Sequence, residues 1–196
     1  MTEDTDNQSE IVFFTNLCQV YKAKIADFDN TKASALGEFI PAKLYMDPGE
    51  KPLMMKVLTG TKETDHFVFV FENGKGVRVP LSAYQTKGNR KKLLNAYSDT
   101  SPVKGIFYEA EPFELMILTE HDKAIVIKST LIPEKTTRTS AGVQLITLKR
   151  GDTVRLVCDD FEQRFENPKG YKKIKIPATG SLLAEKDINA RQLKIE

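Results

Sequence analysis

Apolar and polar positions along this chain form one pattern that occurs three times: an unbroken apolar stretch, a tight polar reversal, and a second stretch in which apolar and polar residues alternate. The copies are IVFFTNLCQVYKAKI (residues 11–25), FVFVFENGKGVRVPL (67–81) and ELMILTEHDKAIVIKS (114–129). An unbroken apolar run bounded by turn residues suits a strand covered on both faces, and period-two alternation suits its neighbour, so each copy is read as a β-hairpin. The reversals fall at Leu17-Cys18, Asn73-Gly74 and His121-Asp122, spaced 56 and 48 residues apart. Strand-built repeats at periods near fifty residues predict a propeller-like array.

Aligning the copies on the turn sorts their residues into roles. Val12, Phe13 and Phe14 match Val68, Phe69 and Val70, then Met116, Ile117 and Leu118, and these are core candidates. On the second strand Tyr21, Ala23 and Ile25 match Val77, Val79 and Leu81, then Ile125, Ile127 and Ser129, which makes one largely apolar face. The opposite face sets Lys22 beside Arg78 and Val126, and Lys24 beside Pro80 and Lys128, so two copies in three place a cation at each position. Asn73-Gly74 reads as a type I′ reversal, which needs positive φ at both central residues; His121-Asp122 fills the role less comfortably.

Each hairpin is followed by a polar loop and a weaker apolar half that closes on a turn and another strand. This half spans residues 36–58 in the first copy, 89–111 in the second and 141–157 in the third. Gly142 corresponds to Gly37, and Arg150-Gly151-Asp152 to Pro48-Gly49-Glu50, whereas the middle copy sets lysine where the others set glycine. The expected organisation is a polar, acidic leader or linker over residues 1–10, repeats over 11–157 (about 11–58, 67–113 and 114–157), and a charged tail over 158–196 that packs on the array or stays apart from it. The fold class is all-β, with three clear repeats, or four blades if the two ends assemble another.

Composition narrows the function. At 196 residues, 40% hydrophobic and 29% charged, the chain is long enough for a sizeable core, and no apolar run reaches the roughly 18 residues of a membrane span. Residues 1–10 hold Glu3, Asp4, Asp6 and Glu10 without a basic or apolar run of the signal-peptide kind, so a cytoplasmic location is expected. Cys18 and Cys158 have neither disulfide-framework nor zinc spacing. His66 and His121 read as turn residues, Gly74-Lys75-Gly76 lacks the phosphate-loop spacing, and Asp159-Asp160 has no third ligand nearby. No catalytic or metal constellation is expected.

Cations do recur. The net charge is only +2, but the four acids of the leader conceal +6 on residues 11–196. The loop after each second strand carries Lys32 in the first copy, Lys87, Arg90, Lys91 and Lys92 in the second, and Lys135 and Arg138 in the third. With Lys22, Lys24, Arg78 and Lys128 they predict a basic stripe, which suits a sugar-phosphate backbone because neutralised phosphates release counterions. The bland alternative for any one lysine is solvated surface; repetition in register favours the stripe.

These residues resemble a known family, the C-terminal repeat domain of the A subunit of bacterial DNA gyrase and topoisomerase IV. The resemblance covers about residues 11–157 and rests on FFTNLCQVYKAKI, FENGKGVRVPLSAY and especially TTRTSAGVQLITLKRGDTV (residues 136–154), where an Arg, small residues and Gly-Val precede an apolar strand and Gly-Asp-x-Val. It implies a β-pinwheel whose blades exchange strands and a non-catalytic domain that bends double-stranded DNA around a basic perimeter and presents it to the cleavage core. The implied partners are the N-terminal breakage-reunion domain and the ATPase subunit, with magnesium and ATP used there and no cofactor in this segment. None of Tyr21, Tyr45, Tyr84, Tyr97, Tyr108 or Tyr171 sits in a motif resembling the cleavage tyrosine's. The chain departs from gyrase where Leu81-Ser82-Ala83-Tyr84 runs into QTKGNRKKL instead of the Gln-Arg-Arg-Gly-Gly-Lys-Gly box. The alternative function is a propeller-like protein-interaction scaffold.

Overall fold

The computed structural model describes residues 6–32, 36–85 and 91–190. Its strands are, in chain order, β1 (Glu10–Thr15), β2 (Val20–Lys24), β3 (Pro52–Val57), β4 (His66–Phe71), β5 (Lys75–Pro80), β6 (Lys92–Leu93) and β7 (Val103–Glu109). They continue with β8 (Glu114–Thr119), β9 (Lys123–Lys128), β10 (Val143–Gln144), β11 (Ile146–Thr147), β12 (Val154–Cys158), β13 (Ala178–Thr179) and β14 (Ser181–Leu182). Short helices α1 (Ile40–Lys43) and α2 (Phe161–Arg164) lie between them, and α3 (Glu185–Ala190) follows β14.

Three four-stranded sheets form the blades, in the orders β3-β1-β2-β6, β7-β4-β5-β10 and β12-β8-β9-β14. At the centre of each is one of the hairpins read from the sequence. One flank is a strand from later in the same repeat; the other is a two-residue strand delivered by the segment that follows the next hairpin or, for blade 3, the next turn of the chain. The strands β3, β7 and β12 contact one another from blade to blade and mark the inner side, so the exchanged strands β6, β10 and β14 lie on the perimeter. No blade is complete without the residues that follow it.

Stacking the sheets explains the apolar runs. Along β4, Phe67, Phe69 and Phe71 face blade 1 with Val12, Phe14 and Val20, while Val68 and Val70 face blade 3 with Leu115, Ile117 and Ile125. A strand with neighbours on both faces has no solvent side, so alternation vanishes from its sequence. The end faces are covered by the chain itself. Ile11, Phe13 and Tyr21 on blade 1 pack under Phe28, Ile40 and Leu44, and Met116, Leu118 and Val126 on blade 3 pack under Phe161, Phe165, Tyr171 and Leu183.

Two expectations are corrected. Asn73-Gly74 is not a type I′ turn: only Gly74 has positive φ (76°), and its amide bonds the carbonyl of Phe71 (2.9 Å). Cys18 (φ 55°) and Asp122 (φ 54°) occupy the same place, so each hairpin uses a type I reversal followed by one left-handed residue, which needs permissive geometry at one position instead of two. The pattern also does not stop at Cys158. Strand β14 pairs with β9, Ser181 opposite Ala124, as β10 pairs with β5, Val143 opposite Gly76. Among the described residues the C-terminal segment thereby completes blade 3 instead of joining the N-terminal end in a fourth blade.

Candidate nucleic-acid interface

Along the perimeter of each blade the outer strand of the hairpin lies beside the segment that leads into the exchanged strand. In blade 1 the amide of Lys22 donates to the carbonyl of Lys91 (2.7 Å). In blade 2 the amide of Arg78 donates to Pro133 (3.3 Å), and the amide of Lys135 donates back to Arg78 (2.8 Å). These bonds set cations beside cations on the strand by two routes, the antiparallel continuation of β6 in blade 1 and a parallel bridge of Arg78 to Glu134, eight to ten residues ahead of β10, in blade 2. The exposed cations on the perimeter are Lys91 and Lys135 on the links and Lys24 and Lys128 at the ends of β2 and β9. Lys32, after β2, is exposed as well, while Lys87 and Arg90 lie outside the described residues.

The remaining predicted cations are engaged elsewhere. Lys22 and Arg78 do not point outward: Lys22 stands opposite Val12 and Arg78 opposite Val68, on the faces that meet the next blade. In a stack of sheets both faces are interfaces, so the polar half of an alternating strand marks the margin of an interface, not the outside. Their counterpart Val126 is accordingly buried, at 1% exposure. Arg78 donates through Nε to the buried carboxylate of Glu109 (2.7 Å), and its Nη2 lies 3.4 Å from Nδ1 of His66. Lys22 lines a cleft of about 180 Å³ between blades 1 and 2 with Glu10, Glu63 and Tyr84. Burial there pushes its ammonium pKa down, opposed by Glu10 and reinforced by Arg138.

Lys92 and Arg138 are half-withdrawn. The Lys92 ammonium meets Asp47 Oδ2 at 2.8 Å and lies 5.2 Å from the centre of the Tyr21 ring. Asp47 first and Tyr21 second push its pKa up, and Lys92 in turn holds the Asp47 carboxyl below its usual range. Tyr21 passes the contact inward by donating to buried Glu50 (2.7 Å). Arg138 donates to the carbonyls of Ala83 (2.8 Å) and Asn95 (3.4 Å) and lies 6.0 Å from the centre of the Tyr84 ring, stitching the link of the third repeat onto the second. The partners Asp47, Glu109 and Tyr84 were not anticipated, because each is remote in sequence from the cation it holds.

The histidines, Asp160 and the two cysteines have definite places. His66 is not an exposed turn residue: it opens β4, with Nε2 2.7 Å from Glu134 and Nδ1 3.5 Å from Glu109. His121 is exposed in the hairpin turn, and its amide donates to buried Asp152 (3.1 Å), so the Asp of Gly-Asp-x-Val caps the reversal. Asp160 is engaged by Arg164 (2.7 Å). Cys18 and Cys158 are both free thiols, and burial pushes Cys158 up to about 12. Among the described residues no group of three or more His, Cys, Asp or Glu is placed to hold a metal ion, and no helix is long and apolar enough to cross a membrane.

Comparison with known proteins follows the same repeats. The family model of the DNA gyrase C-terminal domain, beta-propeller, matches residues 65–92 and 114–157, which hold hairpins 2 and 3. The A subunit of DNA gyrase from two strains of Staphylococcus epidermidis is 28% identical over 146 residues. That alignment covers 74% of this chain but 16% of the relative, so the chain spans about a sixth of the protein it matches. Among solved structures, the C-terminal domain of DNA topoisomerase IV superposes with TM-score 0.67 at 20% identity, over 77% of this chain and 47% of that one. The E. coli ParC C-terminal domain gives 0.64 at 12% identity over 92% and 79%. The DNA gyrase A C-terminal domain gives 0.59 at 16% over 90% and 60%. In the sequence of hairpins 2 and 3 this chain is similar to the DNA gyrase C-terminal domain, and its all-β propeller-like fold is similar to the C-terminal domains of DNA gyrase A and DNA topoisomerase IV.

Proposed function

We propose that this chain is a non-catalytic DNA-binding and DNA-bending domain of a type IIA topoisomerase, acting in the cytoplasm and presenting duplex DNA to a cleavage core. The observation that supports the reading is that lysines are exposed on the outer strands and links of successive blades: Lys24 and Lys91 in blade 1, Lys135 in blade 2 and Lys128 in blade 3. Contacts of this kind neutralise phosphates without reading bases. Bending a site of 20–30 bp by 40–90° costs about 1–6 kcal/mol, so several phosphate contacts spread along a curved edge are what such a surface requires. The same reading proposes a breakage-reunion domain and an ATPase subunit as its partners.

Lys91→Glu with Lys135→Glu is the direct test. Both side chains are exposed, so thermal stability should hold while duplex affinity falls and the slope of log K against log salt shrinks by about 1.8, two contacts at ~0.9 each. Unchanged affinity would sink the assignment. Ligating nicked circular DNA with the domain bound reads bending separately, since wrapping leaves a linking-number shift of one sign. The second reading, a protein-interaction scaffold, draws on Phe39, Tyr45 and Met55 near the outer face of blade 1, exposed at 72, 90 and 57%. It predicts no salt-dependent DNA binding at all.

A further inference from the structure

The C-terminal segment repeats the link of the third repeat residue by residue. The amide of Lys173 donates to the carbonyl of Val126 (2.8 Å), as the amide of Lys135 does to Arg78 (2.8 Å). Lys172 forms an isolated parallel bridge to Val126, as Glu134 does to Arg78. Seven residues after Lys135 and Lys173 come Gly142 and Gly180, neither of which has room for a side chain: an added Cβ would stand 2.1 Å from the carbonyl oxygen of Gly76 in one case and 2.8 Å from Cβ of Lys123 in the other. The next residues, Val143 and Ser181, open the exchanged strands β10 and β14 at matching register.

We infer that residues 169–175 form a further phosphate-contacting rung on the perimeter of blade 3, with Lys169, Lys172 and Lys175 as its contacts to the backbone of duplex DNA. This rests on the DNA-binding reading above and extends it to a segment that the family match does not reach. The charge is stronger here than on the preceding link. Residues 168–177 carry four lysines and no acid, whereas residues 133–142 carry Lys135 and Arg138 against Glu134. At the bridge position the link of the third repeat spends its residue, Glu134, on His66, while the C-terminal link presents Lys172, 40% exposed and paired only at the surface with Glu114 (2.6 Å). An exposed pair of that kind is weak and yields readily to a phosphate.

The arrangement is held from beneath. Tyr171 is buried and donates to Asp187, which is itself fully buried, and the same hydroxyl accepts from the amide of Ala184 (2.9 Å). Lys173 turns inward to Ser181 Oγ (3.0 Å), which leaves Lys169, Lys172 and Lys175 on the outside. Between them Ile174 is 91% exposed, so no part of the described chain covers the crest of the link. The anchoring by Tyr171 and Lys173 fixes the backbone while the three outward lysines remain available.

Lys169→Gln with Lys175→Gln tests this in the whole chain, since neither side chain packs on the core. Near-ultraviolet circular dichroism and the thermal midpoint should match those of the unsubstituted chain. Binding to a duplex labelled for anisotropy should weaken, and the slope of log K against log salt should shrink by about 1.8. If the unsubstituted chain binds with a steep salt dependence and the double variant keeps the same slope and affinity, the rung is refuted while the DNA-binding reading stands. If the unsubstituted chain shows no salt-dependent binding to the duplex, both are refuted.

Discussion

The ammonium of Lys92 sits 2.8 Å from the carboxylate of Asp47, across 45 residues of sequence, at the point where the exchanged strand of the second repeat joins blade 1. Lys92 takes the register place that Gly142 takes in blade 2, because Leu93 stands opposite Val20 as Val143 stands opposite Gly76. The carboxylate therefore withholds one perimeter cation. Asp47→Asn should release it, tightening duplex binding and steepening the salt slope by up to about 0.9. A slope unchanged by the substitution would show that Lys92 never reaches a phosphate. The folded pKa of Asp47 is depressed, so the contact persists above the ordinary carboxylate range and is lost only as pH falls through that lowered value. Between pH 6 and 8 it should not alter binding.

Gly142 tests the strand exchange. Its φ is 70°, and a Cβ there would overlap the carbonyl oxygen of Gly76 at 2.1 Å. Gly142→Ala must shift the exchanged strand off β5, and a loss of roughly 1–3 kcal/mol or more is expected from strain at a left-handed position combined with the clash. Urea unfolding measures it; a loss below about 0.5 kcal/mol, the range of neutral surface substitutions, would mean that the exchanged strand is dispensable.

Tyr171 tests the C-terminal segment as a structural part of blade 3. Removing its hydroxyl in Tyr171→Phe leaves the buried Asp187 carboxylate short of a donor, at a cost of about 1–3 kcal/mol. The loss should appear as a lower urea midpoint of the whole chain. A separate early transition confined to the C-terminal segment would contradict its integration with Met116, Leu118 and Val126.

Alkaline pH should destabilise the fold. Burial holds the Cys158 thiol up at about 12 and pushes the phenols of Tyr84, Tyr97, Tyr108 and Tyr171 upward as well. Groups whose folded pKa is raised contribute fully below their unfolded values, about 8.5 for Cys and 10 for Tyr, and that contribution is lost progressively as pH climbs from those values through the folded ones. The thermal midpoint should thus drop between pH 9 and 11, and Cys158 should resist a thiol reagent at pH 8 until urea unfolds the chain. Rapid labelling of native Cys158 would contradict its burial.

Much of the fold was legible because its signals are local. Unbroken apolar runs such as residues 67–71 and 115–118 are what a strand sandwiched between blades must look like, and they identified the hairpins and both faces of the core. The turn position is evident from the residues but its type is not, since a dipeptide such as Asn73-Gly74 fits either reversal and only the backbone angles separate them. The two-residue exchanged strands were not legible. Ser181 and Leu182 carry no periodicity of their own, and the signal that could have found them, a glycine placed as Gly142 is, becomes readable only once β10 is known to pair with β5.

Local spacing in the chain was enough to establish the repeat, the three hairpins, the buried strands and the recurrence of cations after them, because each depends on residues a few positions apart. Which cations reach the edge was settled by folding. Lys91 and Lys135 do, while Arg78 is held by Glu109, Lys92 by Asp47, and Arg138 by the carbonyls of Ala83 and Asn95. The physical reason is that stacked sheets turn both faces of a strand into interfaces and each blade borrows its outer strand from the next part of the chain, so exposure and pairing are settled by contacts 31 to 55 residues apart.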